Sequence, residues 1–164
     1  MSKMKCLKEV IKMISQLAEE KAEILSDESQ NSVITYGKDE EKPESTYIFS
    51  ETREAIENVN AKIRHLRHKL HHANATVKVP EFDMTIGECI IYMAQLNSEK
   101  ALLERMARSE PISRDTTYRG VVEWTEICYS RNECREVLKG IVEKITALQM
   151  AIDRINLTHE IKVK

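Results

Sequence analysis

The chain has 164 residues, 41% of them apolar and 32% charged, with a formal net charge of −2. This length suits one domain, 1–164, able to bury a core without staples, and the composition is that of a folded chain. Near-neutral charge excludes a global pull toward nucleic acid or membrane, and no apolar run approaches the ~18 residues of a membrane span.

Met1 to Lys12 mixes lysines with apolar residues at helical spacing and has no uninterrupted apolar stretch. That argues against a secretory signal, so the cytoplasm is the expected location. The first predicted helix runs from about Lys3 to Leu25, with Leu7, Val10, Ile14, Leu17, Lys21 and Ile24 alternating by three and four. The second runs from Ser50 to Asn74, on the stripe Ile56, Val59, Ile63, Leu66, Leu70, Ala73. The third spans Thr85 to Arg108. Thr85 and Glu88 form a capping box at its start, and Pro111 lies just beyond its end. The fourth spans Ser130 to Thr158, with a second capping box at Ser130 and Glu133. Its stripe runs Cys134, Leu138, Ile141, Ile145, Leu148, Ile152, Ile155.

Such helices are roughly 35–43 Å long and must bury their stripes against one another. The fold expected is mainly all-α: an antiparallel bundle of four long amphipathic helices. The scarcity of aromatics, 5%, leaves the core to Ile, Leu, Val and Met. The short stretch Ala75 to Asp83 suits an antiparallel helical hairpin. The two longer connections are β-prone. Ser32 to Gly37 and Ser45 to Phe49 flank an acidic turn, and Val121, Val122, Trp124 and Ile127 lie in the other, 109–129. A small hairpin, or a minor sheet joining both connections, is expected there. Trp124, Tyr118 and Tyr129 would fill its apolar face. The cysteines, Cys6, Cys89, Cys128 and Cys134, form no CxxC pair. They read as free thiols, three of them placed where a helix can bury them.

Leu70-His71-His72-Ala73-Asn74-Ala75-Thr76, Thr85-Ile86-Gly87-Glu88 and the closing run Leu148-Gln149 to Glu160-Ile161 together resemble the septicolysin-like family of small helical bacterial proteins. That family ends one helix with Ile-Asn-x-x-Asn-x-Thr, opens the next with Thr-Leu-x-Asp/Glu, and closes on a Leu-Asp-x-x-Ile-Gln-x-x-Asn-Trp run. Leu157 stands here in place of the Trp, and His71 in place of an Asn. The resemblance implies a long-helix fold that self-associates, and no activity.

The chemically able residues concentrate in the second helix. Four of the chain's 5 histidines fall between His65 and His72. On a wheel of ~100° per residue, His65, His68 and His72 share a face opposite the Leu66–Leu70 stripe. Histidines four apart can chelate zinc, which makes these three the candidate metal ligands of a metal-dependent hydrolase. No nearby Cys or carboxylate completes such a site. Asn60, Arg64, Arg67, His71 and Asn74, spaced 4-3-4-3, form a polar stripe beside the core. Two arginines can hold a phosphate or carboxylate bidentately, with Arg114 and Arg119 available from a loop. This is the pattern expected for an anionic small molecule such as a nucleotide. No GxSxG, P-loop or HExxH motif occurs. Asp153 and Glu160 are flanked by Arg154 and Lys162, as ordinary surface charge is. The leading expectation is a non-enzymatic helical interaction protein, a homo-oligomer through heptad-like faces, with no cofactor.

Overall fold

A computed structural model describes residues 3–117 and 119–163. The fold is mostly helical, with four long helices and three two-stranded antiparallel pairings. The helices are α1 (Leu7–Asn31), α2 (Phe49–Thr76), α3 (Ile86–Arg108) and α4 (Arg131–Thr158). The strands are β1 (Lys3–Cys6), β2 (Lys78–Val79), β3 (Met84–Thr85), β4 (Ile112–Thr116), β5 (Val122–Glu126) and β6 (Glu160–Val163). Among the described residues no helix is long and apolar enough to cross a membrane.

The chain divides into two compact units, one of Met1–Val77 with Ile155–Lys164, the other of Lys78–Arg154. In the first unit α1 and α2 pack side by side. Glu28, late in α1, accepts bonds from the Tyr47 hydroxyl (2.7 Å) and from Arg53, early in α2. Val10, early in α1, packs with Leu66, late in α2. The two helices are therefore antiparallel. Residues Lys3 to Cys6, expected as the first turn of a helix, are instead a strand. β1 pairs with β6 in the register Lys3↔Val163 to Cys6↔Glu160. Val163 thereby reaches the core formed with Val10 and Leu66, flanked by Met13, Ile14, Leu17 and Ile161. The alternation of Ile161 and Val163 supplies the period of two that a half-buried strand needs.

The expected hairpin between α1 and α2 does not form. The run after Ser32 is irregular, with a turn in which the Glu40 carboxylate accepts the Gly37 amide at 2.8 Å. Its returning limb is tied to α1 through Tyr47 and Glu28, which leaves the β-prone residues no strand partner. Nor, among the described residues, do the two long connections share a sheet: β4 pairs with β5.

In the second unit β2 and β3 pair across a 3-10 turn, Pro80–Phe82, closed by Asp83 at φ 50°. Lys78 donates to Asp83 at 2.6 Å, which lowers the Asp83 carboxyl and raises the Lys78 ammonium. The expected capping box opens α3. The Glu88 amide donates to Thr85 Oγ1 at 3.2 Å, and the Thr85 amide donates to Glu88 Oε2 at 2.7 Å. At the start of α4 the Glu133 amide donates to Ser130 Oγ at 3.3 Å. β4 and β5 form a hairpin with Arg114 opposite Trp124 and a turn at Gly120, φ 78°. Trp124 does not fill an apolar face; it is 67% exposed, with the Arg114 guanidinium 5.9 Å from its ring. The Tyr129 hydroxyl instead donates to the Met106 carbonyl at the end of α3. Tyr118 lies outside the described residues. All four cysteines are free, with Cys89 and Cys134 buried, Cys6 half-buried and Cys128 exposed.

Candidate functional site

α2 carries its polar residues on two flanks, and the fold treats them differently. The first flank is the Asn/Arg stripe. Asn60 and Asn74 are half-buried there, while Arg64, Arg67 and His71 are exposed. Arg64 bonds Glu57 of its own helix at 2.7 Å, with both side chains largely in solvent. Arg114 and Arg119 belong to the β4–β5 hairpin and its turn, in the second unit, and Arg114 is engaged with Trp124.

The second flank holds the remaining histidines, and the structure lays the C-terminal strand along it. His65, His68 and His72 are exposed, on the side of α2 away from its buried positions where the wheel sets them; what the wheel lacks is the strand beside them. The buried positions of α2 are Ile56, Val59, Leu66 and Ala73, so Leu70 sits at the edge of the buried face. The burial is displaced toward the histidine flank because Val163 and Ile161 pack there.

A groove of about 470 Å³ results. His65, His68, Lys69, His72 and Thr76 of α2 form one wall; His159 and Lys162 form the other. Ala73, Val77 and Ile161 supply its apolar lining. His159 is placed by the backbone. Its amide donates to the Ile155 carbonyl at 2.8 Å, and its carbonyl accepts the Leu7 amide at 3.1 Å, so it is fixed at the junction of α4 and β6. Four of the chain's 5 histidines thus face one groove, including the one most distant in sequence. Among the described residues no three His, Cys, Asp or Glu side chains come together to hold a metal ion. His65 and His72 alone stand about 10 Å apart along the helix axis.

A second cavity of about 640 Å³ adjoins the first, and His65 lines both. It lies between α1 and α2, lined by Met13, Leu17, Ala61, Leu66 and Val163, with Gln16, Glu20 and Lys62 at its edges. Sequence reasoning missed His159, Lys162, Lys69 and Thr76. The available signal was the alternation of Ile161 and Val163 after α4, which marks a strand.

No family model matches the chain, and no curated protein matches it. Its fold is similar to a crystal structure described as that of a functionally unknown conserved protein from Corynebacterium diphtheriae. The similarity has a TM-score of 0.71 at 15% identity and covers 97% of this chain and 99% of that one. At that identity the likeness establishes a shared fold.

Proposed function

We infer that the chain is a helical interaction protein that self-associates through the outer face of α3. The observation that carries this reading is that α3 is apolar on two sides. One side buries Ile86, Cys89, Leu96 and Ala107. The other presents Ile91 and Leu102, which are 61% and 45% exposed. Cys89 and Ile91 are two residues apart, hence ~200° around the helix. Ile91 and Leu102, eleven apart, fall within ~20° of each other and three turns apart. Gln95 and Ser98 lie between them, both exposed, so the stripe is apolar at its two ends. A helix apolar on opposite sides is usually buried on both.

The occupant that fits is α3 of a second copy, running antiparallel. A two-fold pairing of Ile91 with Leu102 is self-complementary. It also sets the basic last turn, Arg105 and Arg108, against the acidic first turn at Glu88. The resemblance to septicolysin-like proteins, with its implied self-association, points the same way.

Sedimentation velocity from 1 to 100 µM tests the reading, with a dimer expected. Burying an Ile contributes ~1.5–3 kcal/mol, and about six-tenths of Ile91 is available in each copy. Ile91→Glu, checked for retained helicity, should therefore raise the dimer dissociation constant at least about 20-fold. A monomer at the highest concentration, or a dimer indifferent to this change, refutes the reading.

A further inference from the structure

The charges around the histidine groove are sorted in a way the chain's composition does not dictate. Acidic residues outnumber Lys and Arg by 27 to 25 over the whole sequence. Yet every titratable side chain lining the groove is a histidine or a lysine: His65, His68, Lys69 and His72 on α2, His159 and Lys162 beside and on β6. The chain's ion pairs lie elsewhere, and none of these six side chains has an ion-pair partner among the described residues. The adjoining cavity is of opposite character, an apolar trough over Met13, Leu17, Leu66 and Val163. Its one carboxylate, Glu20, lies on α1.

Ammonium groups and imidazole N–H donors around a groove attract an oxyanion, and the ammonium donors give it short, charge-assisted hydrogen bonds. An apolar trough next to them favours a hydrocarbon chain. Between His72 and Ala61 α2 rises about 16 Å, room for a headgroup and a medium-length tail end to end. We propose that this groove binds a small amphiphilic anion, its carboxylate or phosphate head held by His72, His159, Lys69 and Lys162, its tail lying past His65 against Leu66 and Leu17. The site lies in the first unit and does not depend on the α3 face.

The groups facing the headgroup come from both walls, α2 and the segment of β6, and Glu20 of α1 faces only the tail.

Calorimetry on the full chain tests this with decanoate, decyl phosphate, decanol and inorganic phosphate, all below micellar concentrations. Decanoate or decyl phosphate should bind at least ten-fold more tightly than decanol and than inorganic phosphate. Whichever of the two amphiphiles binds more tightly identifies the headgroup. The double change His72→Gln with His159→Gln should weaken that binding at least ten-fold. Equal affinity for decanol, equal affinity for inorganic phosphate, no binding of either amphiphile, or indifference to the double change overturns the proposal. If the double variant is unfolded by circular dichroism, NMR of the unaltered protein decides. Displacement of the His72 and His159 ring resonances by the tighter-binding of the two amphiphiles and not by decanol supports the site; its absence removes it.

Discussion

Replacing Leu66 by Ala separates the observed packing of α2 from the packing that periodicity alone suggests. Leu66 is 4% exposed and packs with Val10 and Val163, close to Met13, Leu17 and Ile161. Leu→Ala in a core costs ~2.7–5 kcal/mol, rising with the cavity left behind. Leu66 also borders the 640 Å³ cavity, so part of its surface lacks packed neighbours already. The lower end of the range applies, ~3 kcal/mol. Leu70 is only half-buried, and the same change there should cost ~1 kcal/mol, mostly for partial transfer to water. A helical stripe centred between Leu66 and Leu70 would make the two changes equivalent. Urea unfolding followed by far-UV circular dichroism measures both. With a slope of ~2 kcal/mol per molar, Leu66→Ala should lower the midpoint by ~1.5 M and Leu70→Ala by ~0.5 M. Equal shifts, or a larger one for Leu70→Ala, would refute the argument that β6 draws the core of the first unit toward the histidine flank.

Two further outcomes concern local electrostatics. Thr85→Ala removes the hydroxyl that accepts the Glu88 amide, and loss of such a cap costs ~1 kcal/mol, or ~2–4 °C in a melt of a chain this size. The second concerns pH. The Thr85 amide and hydroxyl hold the Glu88 carboxyl below its ordinary 4.5. Glu28 is lowered by the Tyr47 hydroxyl and then Arg53, and Glu9 by Lys5 and the Cys6 amide. A carboxyl lowered in the folded state binds protons less readily there than in the unfolded chain. Its contribution is therefore complete above the ordinary carboxylate range and is lost as pH falls through it. The melting temperature should stay level from pH 7 to about 5.5 and fall below about pH 4.5. Glu28→Gln should flatten that fall, and a curve that keeps its full slope in the variant argues against this carboxylate as a contributor.

The four helices were legible because each repeats one local rule many times. The stripes of α2 and α4 and the capping box at Thr85 are encoded within a turn or two of chain, and the structure places the helix starts within a few residues of them. The strands were read poorly because they are short and borrow their partners from elsewhere. Lys3 to Cys6 precedes a strong helical stripe and looks like its first turn, yet its amides pair with residues 160–163, at the far end of the sequence. Ser32 to Gly37 has better strand residues and forms no strand, since its potential partner is tethered to α1 by Tyr47. Strand propensity describes fit to a neighbour and says little where the neighbour is unknown.

The histidines show the same limit in functional terms. Their spacing on α2 was visible, and it invited a metal reading because four-residue spacing puts two rings on one face. What the spacing could not contain is the opposite wall. His159 lies 87 positions after His72 in the sequence, and it meets the groove only because β6 pairs with β1 and Val163 enters the core. Once that wall is in place, the question changes from whether three rings can converge on one ion to why six nitrogen-bearing side chains face one groove without a carboxylate among them. His65, His68, His72 and Lys162 remain exposed to water, while Lys69 and His159 are half-buried at the groove. The proposed occupant of that groove and its apolar extension is an anion with a tail, and it is the assembled wall, not the helix spacing, that suggests it.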